Sequence, residues 1–283
     1  CIARFVWGLG SAGPRVAATA MVRDAYSGEE MAKQMSFIMA IFILVPTFAP
    51  LLASGILLVG PWQAVFGFCA AMALLLCFVV TRLPETIHVE DRRELSGSEI
   101  WAGCRAVLTT RGTVGYLLSL TALQAVFISY LASSEVVLDQ VFGYGDWFPL
   151  YFGGLAIVMG LAMFNNGRLV VRVGLDRMLK LVFVANLASG GLLVLVALTT
   201  GGTPPFAVFV VAQALMLFTH QMLIPNLSAA AMRPLAHVAG TGAALLGMIP
   251  GVVGSILGGL VDDRFDGTVT PLSLAFAASA VVA

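Results

Sequence analysis

Long hydrophobic runs recur along the whole chain and alternate with short polar segments. A helix needs about 20 apolar residues to cross the roughly 30 Å hydrocarbon core of a bilayer. Eight runs reach that length, and a shorter ninth ends the chain. The pattern therefore predicts an all-α polytopic membrane protein. The predicted spans are 2–22, 35–59, 62–81, 113–138, 147–167, 177–199, 205–227, 239–261 and 271–283.

Basic residues are concentrated in alternate connections between these spans. Twelve of the 15 Lys and Arg residues lie in odd-numbered connections, only Arg264 lies in an even-numbered one, and Arg4 and Arg15 lie inside the first span. Because cytoplasmic loops are enriched in Lys and Arg, the odd-numbered connections are predicted to be cytoplasmic. The fourth and eighth connections are acidic and carry Asp139, Asp146, Asp262, Asp263 and Asp266.

The composition supports a protein whose solvent is largely lipid. Hydrophobic residues make up 59% and charged residues 11% of the chain, with a mean hydropathy of +0.97, whereas soluble domains carry about 25% charged residues. Basic and acidic residues number 15 each, so charge gives no reason to expect a nucleic-acid partner. The four cysteines form no CxxC pair and no Cys/His cluster with metal-ligand spacing. Neither a metal nor another cofactor is expected.

The longest polar stretch, 82–112, divides the chain into two parts. Three predicted spans precede it and six follow it. We therefore expect 1–81 to be the last three helices of an N-terminal half, 82–112 to be a cytoplasmic central loop, and 113–283 to be a C-terminal half of six helices. The chain starts and ends within hydrophobic runs. We accordingly expect about three N-terminal helices and part of the last helix to be missing from it.

Four sequence motifs follow one another in the order found in a known transporter family. They are "RFVWGLGSAG" at 4–13, "RLPET" at 82–86, "GRLVVRVGLDRML" at 167–179 and "IPNLSAAAMRPLAHVAGTGAALLG" at 224–247. Together they resemble the major facilitator superfamily, in particular the Bcr/CflA multidrug-resistance subfamily of its drug/proton antiporters.

The resemblance implies a bundle of two six-helix halves that transports by alternating access. It implies proton-coupled efflux of drugs or other amphipathic small molecules, which are lipophilic or cationic. A proton is then the coupling ion, without any cofactor. The implied protein is a monomer that passes several times through the bacterial cytoplasmic (inner) membrane.

One motif departs from the antiporter pattern. The fifth helix of these antiporters carries G-x-x-x-G-P-x-x-G-G, and the present chain keeps Pro50 but has Val45, Ala49 and Ala53-Ser54 in place of the glycines. This departure leaves open an alternative with the same fold, namely proton-coupled uptake or export of one specific metabolite.

Two arginines lie inside the first predicted span. Arg4 and Arg15 are eleven residues apart, which places them on one helix face about 16 Å apart, with Gly8 and Ser11 on the same stripe. Because a charge facing lipid costs several kcal/mol, this stripe is predicted to border an aqueous cavity or a partner acid. The family resemblance implies a coupling role for Arg4. Helix locking by Arg4 and snorkelling of Arg15 to the interface are the structural alternatives.

Other polar residues lie within the C-terminal spans. Gln124 and Glu135 share a helix face, and Glu135 is a candidate proton carrier or a hydrated residue at a helix end. His220 titrates near neutral pH when exposed to water, so it is a second proton-handling candidate, although packing is the more common role of such a residue. The remaining cavity-lining candidates are Gln213, Gln221 and Asn226.

The segment 167–179 predicts a tight cytoplasmic connection. Gly167 and Gly174 permit a turn, and Arg172 can clamp helix ends or acids, so these residues are candidates for a conformational latch. Pro50 and Pro250 are candidate helix-bend positions. The glycine pairs 247/251 and 254/258 predict close helix packing.

Functions other than transport find little support in the sequence. A membrane-embedded enzyme would need clustered acids, a metal-ligand set or a catalytic triad, and the chain has none with suitable spacing. The sequence offers equally little for a purely structural or receptor role.

Overall fold

The computed structural model describes residues 51–82 and 97–283 and, within the first 50, only Ala3, Val6, Trp7, Gly8, Gly10, Ser11, Pro14, Met21, Val45, Phe48 and Ala49. The chain forms two compact units, Cys1–Leu95 and Ser96–Ala283. Predicted span 2–22 and the first part of 35–59 therefore lie mostly outside the described residues.

The first unit contains one complete apolar helix among its described residues. Residues 51–59 are helical, and after a turn at Gly60 the helix α1 runs from Gln63 to Val80. This agrees with the predicted span 62–81. None of the α1 residues is buried, yet α1 is long and apolar enough to cross a membrane. Such an all-round apolar surface is stable in lipid and not in water.

The second unit contains seven α-helices in its described residues, and six of them match predicted spans. The helices are α2 Gly97–Thr109, α3 Arg111–Gln140, α4 Phe148–Val173, α5 Leu175–Thr199, α6 Phe206–Met232, α7 Ala239–Asp262 and α8 Thr270–Val282. Helices α3 to α7 are long and apolar enough to span a membrane, and α8 is a shorter apolar helix. The all-α multi-span prediction is therefore confirmed.

Helix α4 extends six residues beyond its predicted end at residue 167. The extension contains neither Pro nor Gly, so nothing in the backbone stops the helix before Gly174. Its arginines can reach the lipid–water interface while their stems stay in apolar surroundings, and the guanidinium of Arg168 lies 4.0 Å from the ring centre of Phe164. Similarly, α6 continues through Pro225 to Met232.

Helices α3 and α7 of the second unit pack closely against each other. A Cβ atom added to Gly258 would lie 2.6 Å from the carbonyl oxygen of Ala125, and one added to Gly254 would lie 3.1 Å from the Ala125 nitrogen. The close packing predicted for the pair 254/258 is therefore present. Among the described residues, nothing lies within 4 Å of a Cβ atom built on Gly247 or Gly251, so the packing predicted for the pair 247/251 stays a prediction.

The connections between the remaining helices contain a one-residue turn and a hydrogen bond between two loops. Gly174 alone joins α4 to α5, with φ 86° and ψ 149°, a region of backbone conformation that is essentially restricted to glycine. On the opposite side, the Val269 amide in the α7–α8 connection donates to the Gly202 carbonyl in the α5–α6 connection at 3.0 Å. A backbone hydrogen bond thus ties the two hairpins together.

Candidate transport site

Three of the predicted site residues, Arg4, Arg15 and Pro50, lie outside the described residues. Of their neighbours on the predicted stripe, Gly8 and Ser11 are helical and exposed. The Ser11 hydroxyl donates to the Gly8 carbonyl at 3.1 Å, so its hydrogen-bonding capacity is partly used within its own helix. The cavity-lining role of this stripe stays a prediction.

Two polar residues of α6 are buried among aromatic and aliphatic side chains. His220 and Gln213 are each 0% exposed. The His220 ring stacks on Phe127 at 5.9 Å and meets the edge of Phe276 at 5.8 Å. Among the described residues, neither the His220 ring nitrogens nor the Gln213 amide has a hydrogen-bond partner. In this conformation both side chains therefore belong to the core of the unit and do not line an open cavity.

Asn226 lies in an amide pair that links α6 to α4. Its Nδ2 donates to Asn166 Oδ1 at 2.6 Å and to the Met222 carbonyl at 2.8 Å, while Asn166 Nδ2 donates back to Asn226 Oδ1 at 3.4 Å. Both asparagines are buried. Reciprocal hydrogen bonds satisfy amides that would otherwise be costly in an apolar interior. Asn166 is not among the site residues predicted from the sequence, although a polar residue inside an apolar span is the signal that marks it.

A second interhelical contact of this kind joins α5 to α6. Asn186 is fully buried, and its Nδ2 donates to Thr219 Oγ1 at 3.2 Å. Asn186, too, is not among the residues predicted from the sequence. Uncharged amides thus link α6 to α4 and to α5, and this is how polar side chains are commonly accommodated between membrane helices.

The two remaining glutamine candidates pack against other helices. The Cβ and Cγ atoms of Gln124 lie against Gly254 of α7, at 3.1 Å from a Cβ position built there. Gln221 is partly buried, and its Nε2 lies 3.3 Å from the Met159 sulfur of α4. Gln124 therefore belongs to the α3–α7 contact, and Gln221 to the α4–α6 contact.

The carboxylates near the C-terminal ends of α3 and α7 have different surroundings. Glu135 is exposed near the end of α3 and forms no hydrogen bond or ion pair with another described residue. Asp262, at the end of α7, accepts a hydrogen bond from the Ser129 hydroxyl of α3 at 2.5 Å. The sequence could not reveal this contact, because it depends on which helices pack together.

The predicted latch segment is only partly arranged as expected. Gly174 forms the turn, whereas Gly167 lies inside α4 and Arg172 is exposed in its last turn. The cross-connection at this end joins Asp176 of α5 to Arg233, where the guanidinium lies 2.7 Å from the carboxylate. Pro250, the candidate bend, is buried within a continuous α7.

Comparisons with known proteins agree with this helical arrangement. The sequence profile of the Major Facilitator Superfamily matches residues 1–282. The chain is 28% identical over 281 residues to a "Bicyclomycin resistance protein homolog" of Haemophilus influenzae, covering 99% of the chain and 70% of that protein.

Two further relatives have a comparable sequence identity. The "Uncharacterized MFS-type transporter YdgK" of Bacillus subtilis is 28% identical over 286 residues, again covering 99% of the chain and 70% of the relative. The "Multidrug resistance protein MdtL" of Salmonella typhimurium is 29% identical over 188 residues, which is 65% of the chain and 46% of the relative. With the family profile matching nearly its whole length, the chain belongs to the major facilitator superfamily and is a multi-span membrane transporter, not an enzyme.

Proposed function

We propose that the protein exports amphipathic, drug-like small molecules across the bacterial cytoplasmic membrane in exchange for protons. The observation that carries this proposal is the similarity to a bicyclomycin resistance protein homolog along 99% of the chain. Transport by alternating access, in which two helical bundles rock about a central site, is the mechanism that this fold supports. The protein would act as a monomer on lipophilic or cationic substrates.

Proton coupling is assigned to charged groups that can exchange protons with water. Arg4 and Arg15 are proposed as charges that switch partners during the cycle, because arginine in a membrane span needs a hydrated or acidic neighbour. Glu135 is proposed as a proton carrier, since it is exposed and unpaired among the described residues. His220 is a weaker candidate, because its ring is enclosed by Phe127 and Phe276.

The proposal is tested by efflux from bacteria that lack their own drug pumps. The complete reading frame is expressed, and the efflux of cationic and neutral dyes is followed with and without a protonophore. Export that stops with the protonophore and is lost in Arg4→Ala supports proton-driven efflux through that arginine. Glu135→Gln is compared with Asp139→Asn, a second exposed acid of the same helix. A selective loss in Glu135→Gln supports its role as carrier.

A second function is favoured by the residues that replace glycine in the fifth-helix motif. Val45 and Ala49 stand where the antiporter pattern has glycines, which fits a transporter specialised for a single metabolite. If the protein reaches the membrane but exports none of the dyes, this alternative takes precedence. Comparison of metabolite uptake and release between expressing and control cells then identifies the substrate.

A further inference from the structure

An apolar groove runs between α4 and α6 at their N-terminal ends. Its volume is about 620 Å³, within the range of small-molecule sites. Its walls are entirely apolar or aromatic and contain no charged side chain. The main lining residues are Tyr144, Trp147, Tyr151, Gly154, Phe206 and Val210.

The groove has the length of one leaflet of a bilayer. The α4 wall extends from Trp147 to Val158 and the α6 wall from Phe206 to Ala214, which correspond to about 16 Å and about 12 Å of helix. Half of the hydrocarbon core is roughly 15 Å thick. A ligand in the groove would therefore lie parallel to the helices, as an acyl chain does.

The mouth of the groove has the features of a membrane interface. Tyr144 and Trp147 stand at this end and are 45% and 61% exposed, and such amphipathic rings are enriched at the level of the lipid headgroups. The distribution of basic residues places this end on the extracytoplasmic side. An occupant would thus enter from the outer leaflet, with its polar end beside these rings.

The charge at the mouth is negative. The Asp139 carboxylate packs against Gly145, because a Cβ atom added to that glycine would lie 2.5 Å from Asp139 Oδ1, and Asp146 follows directly. No Lys or Arg occurs between residues 112 and 167. An ammonium group is therefore attracted to this position, whereas an anionic headgroup without a cation is repelled.

We propose that the groove binds one acyl chain of a zwitterionic, ammonium-bearing phospholipid of the extracytoplasmic leaflet, with its headgroup beside Asp139 and Asp146. This site is independent of the transported substrate and of proton coupling.

The probe is Trp147, which lines the groove. The complete protein is purified in detergent and titrated with phosphatidylethanolamine or phosphatidylglycerol carrying brominated chains, which quench nearby tryptophan. The difference between wild type and Trp147→Phe isolates the Trp147 signal. We expect saturable quenching with about fivefold tighter binding of phosphatidylethanolamine, the ratio that one favourable charge near a membrane surface produces.

Two sets of variants distinguish lipid binding in the groove from non-specific contact of lipid with the protein surface. Gly154→Leu fills the groove, since a side chain at Gly154 enters open space, and Gly191→Leu on α5 is the matched control because it also has open space. We expect only Gly154→Leu to abolish saturable quenching. Asp139→Asn with Asp146→Asn leaves the walls unchanged, so it tests the headgroup preference even if Gly154→Leu does not fold. The preference should disappear.

Several results would overturn the proposal. One is quenching that rises linearly with lipid and is equal for the two headgroups. Another is a headgroup preference that survives the double Asp→Asn change. Displacement of Trp147 quenching by a lipophilic dye, without any headgroup preference, would assign the groove to a transported compound instead.

Discussion

The α3–α7 contact allows a sharp test with a single methyl group. In Gly258→Ala the new Cβ would lie 2.6 Å from the Ala125 carbonyl oxygen and 3.3 Å from the Ser129 nitrogen, whereas ordinary contact begins at about 3.4 Å. Both opposing atoms are backbone, so no side-chain rotation can relieve the overlap. The helices must separate by up to about 0.8 Å. Overpacking of this kind costs about 1–3 kcal/mol.

The neighbouring glycine is the control for this experiment. Gly259 lies on the same helix, and a Cβ atom there meets nothing within 4 Å. Gly259→Ala should therefore leave the free energy of unfolding unchanged or raise it by up to about 1 kcal/mol, since alanine favours helix over glycine. Unfolding of the purified protein by SDS, followed by circular dichroism, measures both variants. Equal stability of the two would refute the close α3–α7 contact.

Two further changes test the turn and the amide pair. Gly174→Ala should lower the free energy of unfolding by about 1–3 kcal/mol because alanine is strained at φ 86°. The control Gly167→Ala, inside α4, should not lower it. Equal effects of the two variants on stability would argue against the single-residue turn. Asn166→Ala and Asn226→Ala should each lower the free energy of unfolding by about 1 kcal/mol. The double variant should lower it by less than the sum of the two single effects. Full additivity in a double-mutant cycle would contradict the pairing of the two amides.

The helices could be predicted because membrane spans depend on local composition. The predicted span 113–138 corresponds to α3 Arg111–Gln140, and 239–261 corresponds to α7 Ala239–Asp262. Apolar length alone decides whether a helix can cross a bilayer. The helix ends were less predictable. For example, Arg168 and Arg172 indicate the end of a hydrophobic run, although the backbone stays helical through Val173.

The contacts between helices could not be predicted, because the sequence does not state which faces meet. Asn226 was identifiable as a polar residue in an apolar span, but its partner Asn166 is 60 residues away. The pairing of Ser129 with Asp262 likewise depends on the packing of α3 on α7. Burial of His220 between Phe127 and Phe276 could not be foreseen either, since helical spacing alone does not distinguish a core face from a cavity face.

The hydrogen bond from Val269 to Gly202 has a consequence for spectroscopic studies of this half of the protein. It joins the connection after α5 to the connection before α8. If this link persists during transport, the two connections move together. A distance probe in one connection would then also report the displacement of the other, and a pair of probes at positions 202 and 269 would serve as the fixed internal reference.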